Sequence, residues 1–233
     1  MAENENDIEK DIPEVLEDSL NKTEILLEEN KKVIGNVVMG IVALVVVFFG
    51  YDNFISAPAE EKGAELIWQA QQDFESEAGK RDSSSTIAED FQAVIEDYGS
   101  SSSGNIAQLY LGISLMKTGE FDEAQEALES FSPAGLLMPG LKLGLIGDCQ
   151  SENGEVDEAV GNYSKAAELL DSKSGSVYFL KKAGVLLEQN GKASEAVEVY
   201  ETALNKYLKG ADRTYAREKI EMEKYLARAQ ASK

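Results

Sequence analysis

The stretch Leu111–Leu128 reads LGISLMKTGEFDEAQEAL, and two later stretches repeat its design: IGDCQSENGEVDEAVGNY over Ile146–Tyr163 and AGVLLEQNGKASEAVEVY over Ala183–Tyr200. Aligned on their first glycine, the three carry Gly112, Gly147 and Gly184 at one position. Gly119, Gly154 and Gly191 come seven residues later, and Ala124, Ala159 and Ala196 five after that. Four further on stand Leu128, Tyr163 and Tyr200. The units are spaced by 35 and then 37 residues. Each predicts two amphipathic helices around a turn. The second glycine ends the first helix in a left-handed conformation that costs a residue with a side chain more. The first glycine and the alanine let the paired helices approach, and the larger residues fill the gap between units.

This pattern resembles the tetratricopeptide repeat, a helix–turn–helix unit of about 34 residues. The expected fold is all-α: one N-terminal transmembrane helix followed by a tetratricopeptide-repeat α-solenoid. A degenerate unit precedes the three strong ones. Ala64 to Ala78 is helical, with Leu66, Ile67, Ala70 and Phe74 on one face and Trp68 expected in the core. A polar loop over 79–85 leads to a helix from Thr86 to Tyr98 through Ile87, Phe91, Val94 and Ile95. Breaks are expected at Gly99–Gly104 and at Leu136–Gly140. A last helix from Asp212 to about Ala229 carries Arg213, Arg217, Lys219, Lys224 and Arg228, the polar outer face that a terminal solenoid cap needs.

Ahead of the repeats, Val33–Tyr51 reads VIGNVVMGIVALVVVFFGY, with no charged residue. As a helix it covers roughly 28 Å, close to the ~30 Å hydrocarbon thickness of a bilayer. A buried strand of a soluble sheet would be much shorter. Lys31 and Lys32 precede the span, and Asp52, Glu60 and Glu61 follow it. The positive side of a span stays in the cytoplasm, so the tail is expected there and residues 52–233 across the membrane. Ala57-Pro58-Ala59 has the form of a cleavage site, but a long acidic leader and a long apolar segment do not fit a signal peptide. Retention of residues 1–50 is expected.

The resulting division is an acidic cytoplasmic tail with a short amphipathic helix over 1–32, a transmembrane helix over 33–51, a linker over 52–63, repeats over 64–211 and a capping helix over 212–233. In the tail, Ile12, Leu16, Leu20 and Leu27 fall at helical spacing, and Asn21 with Glu24 forms a candidate cap. The tail holds 11 acids against 4 lysines, and residues 52–233 hold 32 acids against 18 bases. The whole chain has net charge −21, which disfavours nucleic acid and anionic headgroups as partners. Histidine is absent, which excludes Ser-His-Asp and Cys-His catalysis and His-ligated zinc or haem. The single Cys149 is expected as a buried, inert thiol. No enzyme activity, cofactor, metal or small-molecule substrate is expected.

By resemblance to tetratricopeptide proteins, the first helix of each unit lines a concave groove for protein segments. Residue by residue this gives Ile106, Leu109, Ile113, Met116 and Lys117 in the first strong unit. The second unit supplies Leu141, Gly144, Asp148, Ser151 and Glu152, and the third Tyr178, Lys181, Val185, Glu188 and Gln189. The lining lacks a repeated Lys/Arg clamp for carboxylates. Extended or helical protein segments fit better.

The architecture of the entire chain also resembles the YfgM-type family, bacterial ancillary subunits of the Sec translocon. The likeness rests on the acidic tail, the single span, the run of repeats and the segment AELIWQAQQDFE from Ala64. It implies a bacterial inner-membrane protein with its repeat domain in the periplasm. It further implies the SecYEG channel, a membrane-anchored periplasmic peptidyl-prolyl isomerase-type chaperone and unfolded exported proteins as partners. The role so implied is adaptor or chaperone at the translocon. A structural scaffold of another envelope complex is the alternative.

Overall fold

The computed structural model describes residues 30–51, 57–77 and 84–232. The expected tail helix, its cap and most of the 79–85 loop lie outside the described residues. The chain divides into two compact units, Met1–Pro58 and Ala59–Lys233.

In the first unit, α1 spans Lys31–Tyr51. It is long and apolar enough to cross a membrane. From Val33 to Phe48 its large apolar side chains, among them Met39 and Leu44, are exposed. A core helix of a soluble protein would bury such side chains, whereas a lipid environment leaves them apolar contacts all round.

Helix α2 (Ala57–Glu77) starts at the division and runs into the second unit, which also holds α3 (Ser84–Tyr98), α4 (Ser102–Thr118), α5 (Phe121–Ser130) and α6 (Met138–Glu152). This unit continues with α7 (Val156–Leu170), α8 (Lys173–Gln189), α9 (Ala193–Thr202) and α10 (Ala216–Ala231). Among the described residues all regular structure is helical. Pairs α4/α5, α6/α7 and α8/α9 are the three strong units. Their turns share one hydrogen-bond design. Gly119, Gly154 and Gly191 take φ of 91°, 80° and 73°. The next residue then donates its N–H five residues back: Glu120 to Leu115, Glu155 to Gln150 and Lys192 to Leu187, at 3.0, 2.8 and 2.9 Å. This is a glycine-dependent Schellman closure of the first helix, made three times.

The helix pairs then close on the other glycine. A Cβ on Gly112 would stand 2.6 Å from Leu128 Cγ, on Gly147 2.9 Å from Tyr163 Cε1, and on Gly184 2.2 Å from Tyr200 Cε1. Ala124, Ala159 and Ala196 are fully buried beside these contacts. Between units, Gly144 leaves the space that Phe179 fills, with a Cβ there only 2.1 Å from the ring. The caps are local. Ser101 accepts from the Gly104 N–H at 3.1 Å and Ser172 from the Gly175 N–H at 3.0 Å.

Several expectations shift, among them the break at Gly99–Gly104, which ends at Ser101, the cap of α4. The segment 52–63 is not linker throughout, because α2 begins at Ala57. There Gly63 is buried against Ser103, and Glu60 accepts the Ser102 N–H at 2.8 Å. The break at Leu136–Gly140 ends early: α6 starts at Met138, and Pro139 sits in its first turn, where no N–H is needed. Trp68 is 61% exposed and so is not a core residue. The buried stripe of α2 runs through Gly63, Ile67 and Ala70 at helical spacing, and Trp68 falls off it.

The glycines give a paired stability test. Gly184→Ala forces the Tyr200 ring aside and is expected to cost about 1–3 kcal/mol. Gly161, in the middle of α7 with open space around it, is expected to gain about 0.5–1 kcal/mol as Gly161→Ala. Urea unfolding of the two variants checks both signs.

Candidate functional site: the inner helix row

Helices α4, α6 and α8 are the first helices of successive strong units, so equivalent residues recur along the solenoid. Ile106, Leu141 and Tyr178 open the three sets and are 39%, 40% and 52% exposed. Leu136 and Leu137, just before α6, are exposed as well. An apolar row is thus open to solvent at one position of three consecutive units.

The remaining positions differ by unit. In α4, Leu109 and Met116 are partly buried against the cluster of Leu128, Ile146 and Cys149. Ile113 is half-buried. The Lys117 ammonium lies 3.7 Å over the centroid of the Phe74 ring from α2. In α6, Gly144 is taken up by Phe179, and Glu152 is exposed. Asp148 joins a polar network: it accepts from the Tyr163 hydroxyl at 2.6 Å and pairs with Lys182 of α8. The Lys182 ammonium sits 5.3 and 5.4 Å from the Tyr163 and Tyr178 rings. In α8, Val185 is half-buried. Lys181 reaches Glu221 of α10 at 3.3 Å, and Glu188 holds Arg228 of α10 at 2.7 Å. Tyr200 stacks on Tyr225 at 5.6 Å behind them. Several expected groove residues therefore hold neighbouring helices in register.

Electrostatics follow from this packing. Burial, then the hydrogen bond to Asp148, pushes the Tyr163 phenol above its ordinary range. Burial and the nearby Glu188 carboxylate do the same to Tyr200. Burial pushes the Cys149 thiol up to about 11, and Asp148 adds to it, so its thiolate is scarce at neutral pH. Among the described residues no group of three or more His, Cys, Asp or Glu gathers as a metal site. Sequence reasoning missed Lys182, Tyr163 and Phe179 as members of this face. The Lys181-Lys182 doublet was the available signal for the first.

Helical hairpins closed on paired small residues and stacked through their first helices define a tetratricopeptide-type solenoid, a scaffold for protein–protein interaction. The family model described as tetratricopeptide repeat matches residues 106–132, the first strong unit. The solved structure of the nearly identical TPR-like repeats of a putative kinesin light chain from Podosopora anserina is similar, with a TM-score of 0.56 at 17% identity. That similarity covers 72% of this chain and 85% of the other. A single-substitution variant of the same repeats gives the same TM-score and coverage at 18% identity. These likenesses support the fold alone. The sequence matches no curated protein.

The half-buried Asp148 is expected to matter more than the exposed Asp157, which pairs with Lys192. Asp148→Ala strands Lys182 and the Tyr163 hydroxyl and should cost about 1–3 kcal/mol. Asp157→Ala should cost under about 1 kcal/mol. Chemical denaturation of both variants decides the ranking. Cys149 is fully buried, so a thiol-specific chromogenic reagent should leave the native protein unlabelled and react in step with unfolding.

Proposed function

We propose that this protein is a membrane-anchored adaptor that holds protein segments along the inner helix row, at the Sec translocon of a bacterial inner membrane. Its tail lies in the cytoplasm and its repeats in the periplasm. It assists the hand-over of emerging proteins from the SecYEG channel to a membrane-anchored peptidyl-prolyl isomerase-type chaperone. The observation that carries the binding role is the exposed apolar row of Ile106, Leu141 and Tyr178. Unfolded segments present spaced apolar side chains, and such a row offers them repeated, shallow contacts without demanding one sequence. Glu152 leaves an exposed carboxylate beside it, while Lys181 and Glu188 are engaged with Glu221 and Arg228 of α10. The topology rests on Lys31 and Lys32 before the span against Asp52, Glu60 and Glu61 after it. The absence of histidine and the unreactive Cys149 favour a role without catalysis.

Mild-detergent purification of the full-length protein from its native membrane, with mass spectrometry of co-purifying chains, tests the placement. Channel subunits together with a periplasmic isomerase are the expected result. A different envelope complex without channel subunits would replace the proposal with a fixed structural scaffold. Ile106→Asp, Leu141→Asp and Tyr178→Asp together should then lower recovery of bound clients by roughly ten-fold or more while the anchor stays inserted.

A further inference from the structure

The outer face of the first strong unit carries a second surface. A cavity of about 510 Å³ lies between α3 and α5, over α4. Leu111, Leu115 and Ala127 line it from within. At about 100° per residue, Leu111 and Leu115 lie on the side of α4 opposite Ile106 and Ile113, so this trough is separate from the inner row. Its acids are Glu89, Glu120, Glu123 and Glu126, and its lining contains no lysine or arginine. Among the described residues, Glu89, Glu123 and Glu126 form no ion pair, while Glu120 accepts a hydrogen bond from the Thr118 hydroxyl at 2.6 Å.

The arrangement recurs two units on. A cavity of about 350 Å³ between α7 and α9 is lined by Leu180, Leu187 and Val199, with Glu195 and Glu198 among its acids. Glu123, Glu126, Leu115 and Ala127 correspond to Glu195, Glu198, Leu187 and Val199, each 72 residues later. There Lys206 joins the lining, so the first trough is the more uniformly acidic. The middle unit breaks the pattern. Its equivalents of Leu115 and Ala127 are Gln150 and Asn162, which hydrogen-bond each other at 2.7 Å. An apolar floor and an acidic rim thus occur together, and the floor is lost where two polar side chains satisfy one another.

We infer that the α3–α5 trough docks a basic amphipathic helix of a partner protein, its apolar stripe on Leu111, Leu115 and Ala127 and its flanking Lys/Arg between the glutamates. Charge complementarity selects this occupant. A negative rim repels acidic segments and favours basic ones. Salt bridges at the rim steer and orient the helix, and the floor supplies the apolar contact.

The test uses full-length protein in detergent micelles and a labelled 18-residue peptide with leucines at helical spacing flanked by lysines. A peptide of the same composition with the leucines scattered is the comparison. Because the whole chain is acidic, a charge-matched control is needed. Glu123→Lys/Glu126→Lys alters the trough, and Glu155→Lys/Glu158→Lys makes the same charge change at the rim of the unit without a floor. Anisotropy titrations should show the patterned peptide weakened at least about ten-fold by the first pair and less than about two-fold by the second. The scattered peptide should bind the unaltered protein at least about ten-fold more weakly. Should the lysine pair fail circular dichroism as a folded helical protein, Glu123→Gln/Glu126→Gln replaces it with the same ranking expected. Equal losses from both pairs, or equal binding of both peptides, would reduce the effect to bulk charge and overturn the inference. A change of oligomeric state by the first pair without loss of peptide binding would assign the trough to a second copy and overturn it as well.

Discussion

The close approach of a glycine to a large side chain is the constraint on which the rest of this domain depends. In each strong unit the first helix offers a hollow at Gly112, Gly147 or Gly184, and the second fills it with Leu128, Tyr163 or Tyr200. That contact fixes the spacing of the pair. Once spacing is fixed, the Schellman turns at Gly119, Gly154 and Gly191 fix the angle at which the chain returns. Repeating the same pair then sets α4, α6 and α8 side by side, and with them everything on their exposed faces. Each unit alone leaves an apolar face uncovered. The stack buries it, and stability accumulates from neighbour to neighbour.

Much of this was legible in the sequence, because the small residues that permit close packing are the ones that hold a strict period. The hairpins and their turns follow from it directly, and the polar last helix from its own run of Arg and Lys. What the period does not carry is which side chain of the next unit enters a given hollow. Gly144 occupies an expected groove position, yet Phe179 of the following unit fills it. Asp148 likewise turns to Lys182 and Tyr163 and spends its charge inside the stack. Lys181 and Glu188 hold α10, so the end of the row also serves as the seat of the cap. Within a unit the motif assigns faces well, but contacts across units depend on the twist between them.

The first unit marks the limit differently. It lacks the glycine pair, so neither the start of α2 at Ala57 nor the exposure of Trp68 could be placed by alignment with the later copies. Its core is aromatic instead: Phe91 stacks on Tyr110 at 5.2 Å, and Phe74 meets Tyr110 edge-on at 5.5 Å. The outer troughs were missed for another reason. Glu-Ala-x-Glu occurs at Glu123–Glu126 and again at Glu195–Glu198, but in a chain this acidic the repetition has little contrast. Only the apolar floor beneath distinguishes it.

The proposed binding surface is the exposed row of Ile106, Leu141 and Tyr178, which occupy one shared position in three stacked units. Site-specific photo-crosslinking in intact membranes addresses that most directly, with the reactive group placed at Leu141 and, as a comparison, at Lys165 on the exposed side of α7. Protein adducts from Leu141, absent or much fainter from Lys165, are predicted. Adducts of equal strength from both sites, or from Lys165 alone, would contradict a binding surface on the inner row.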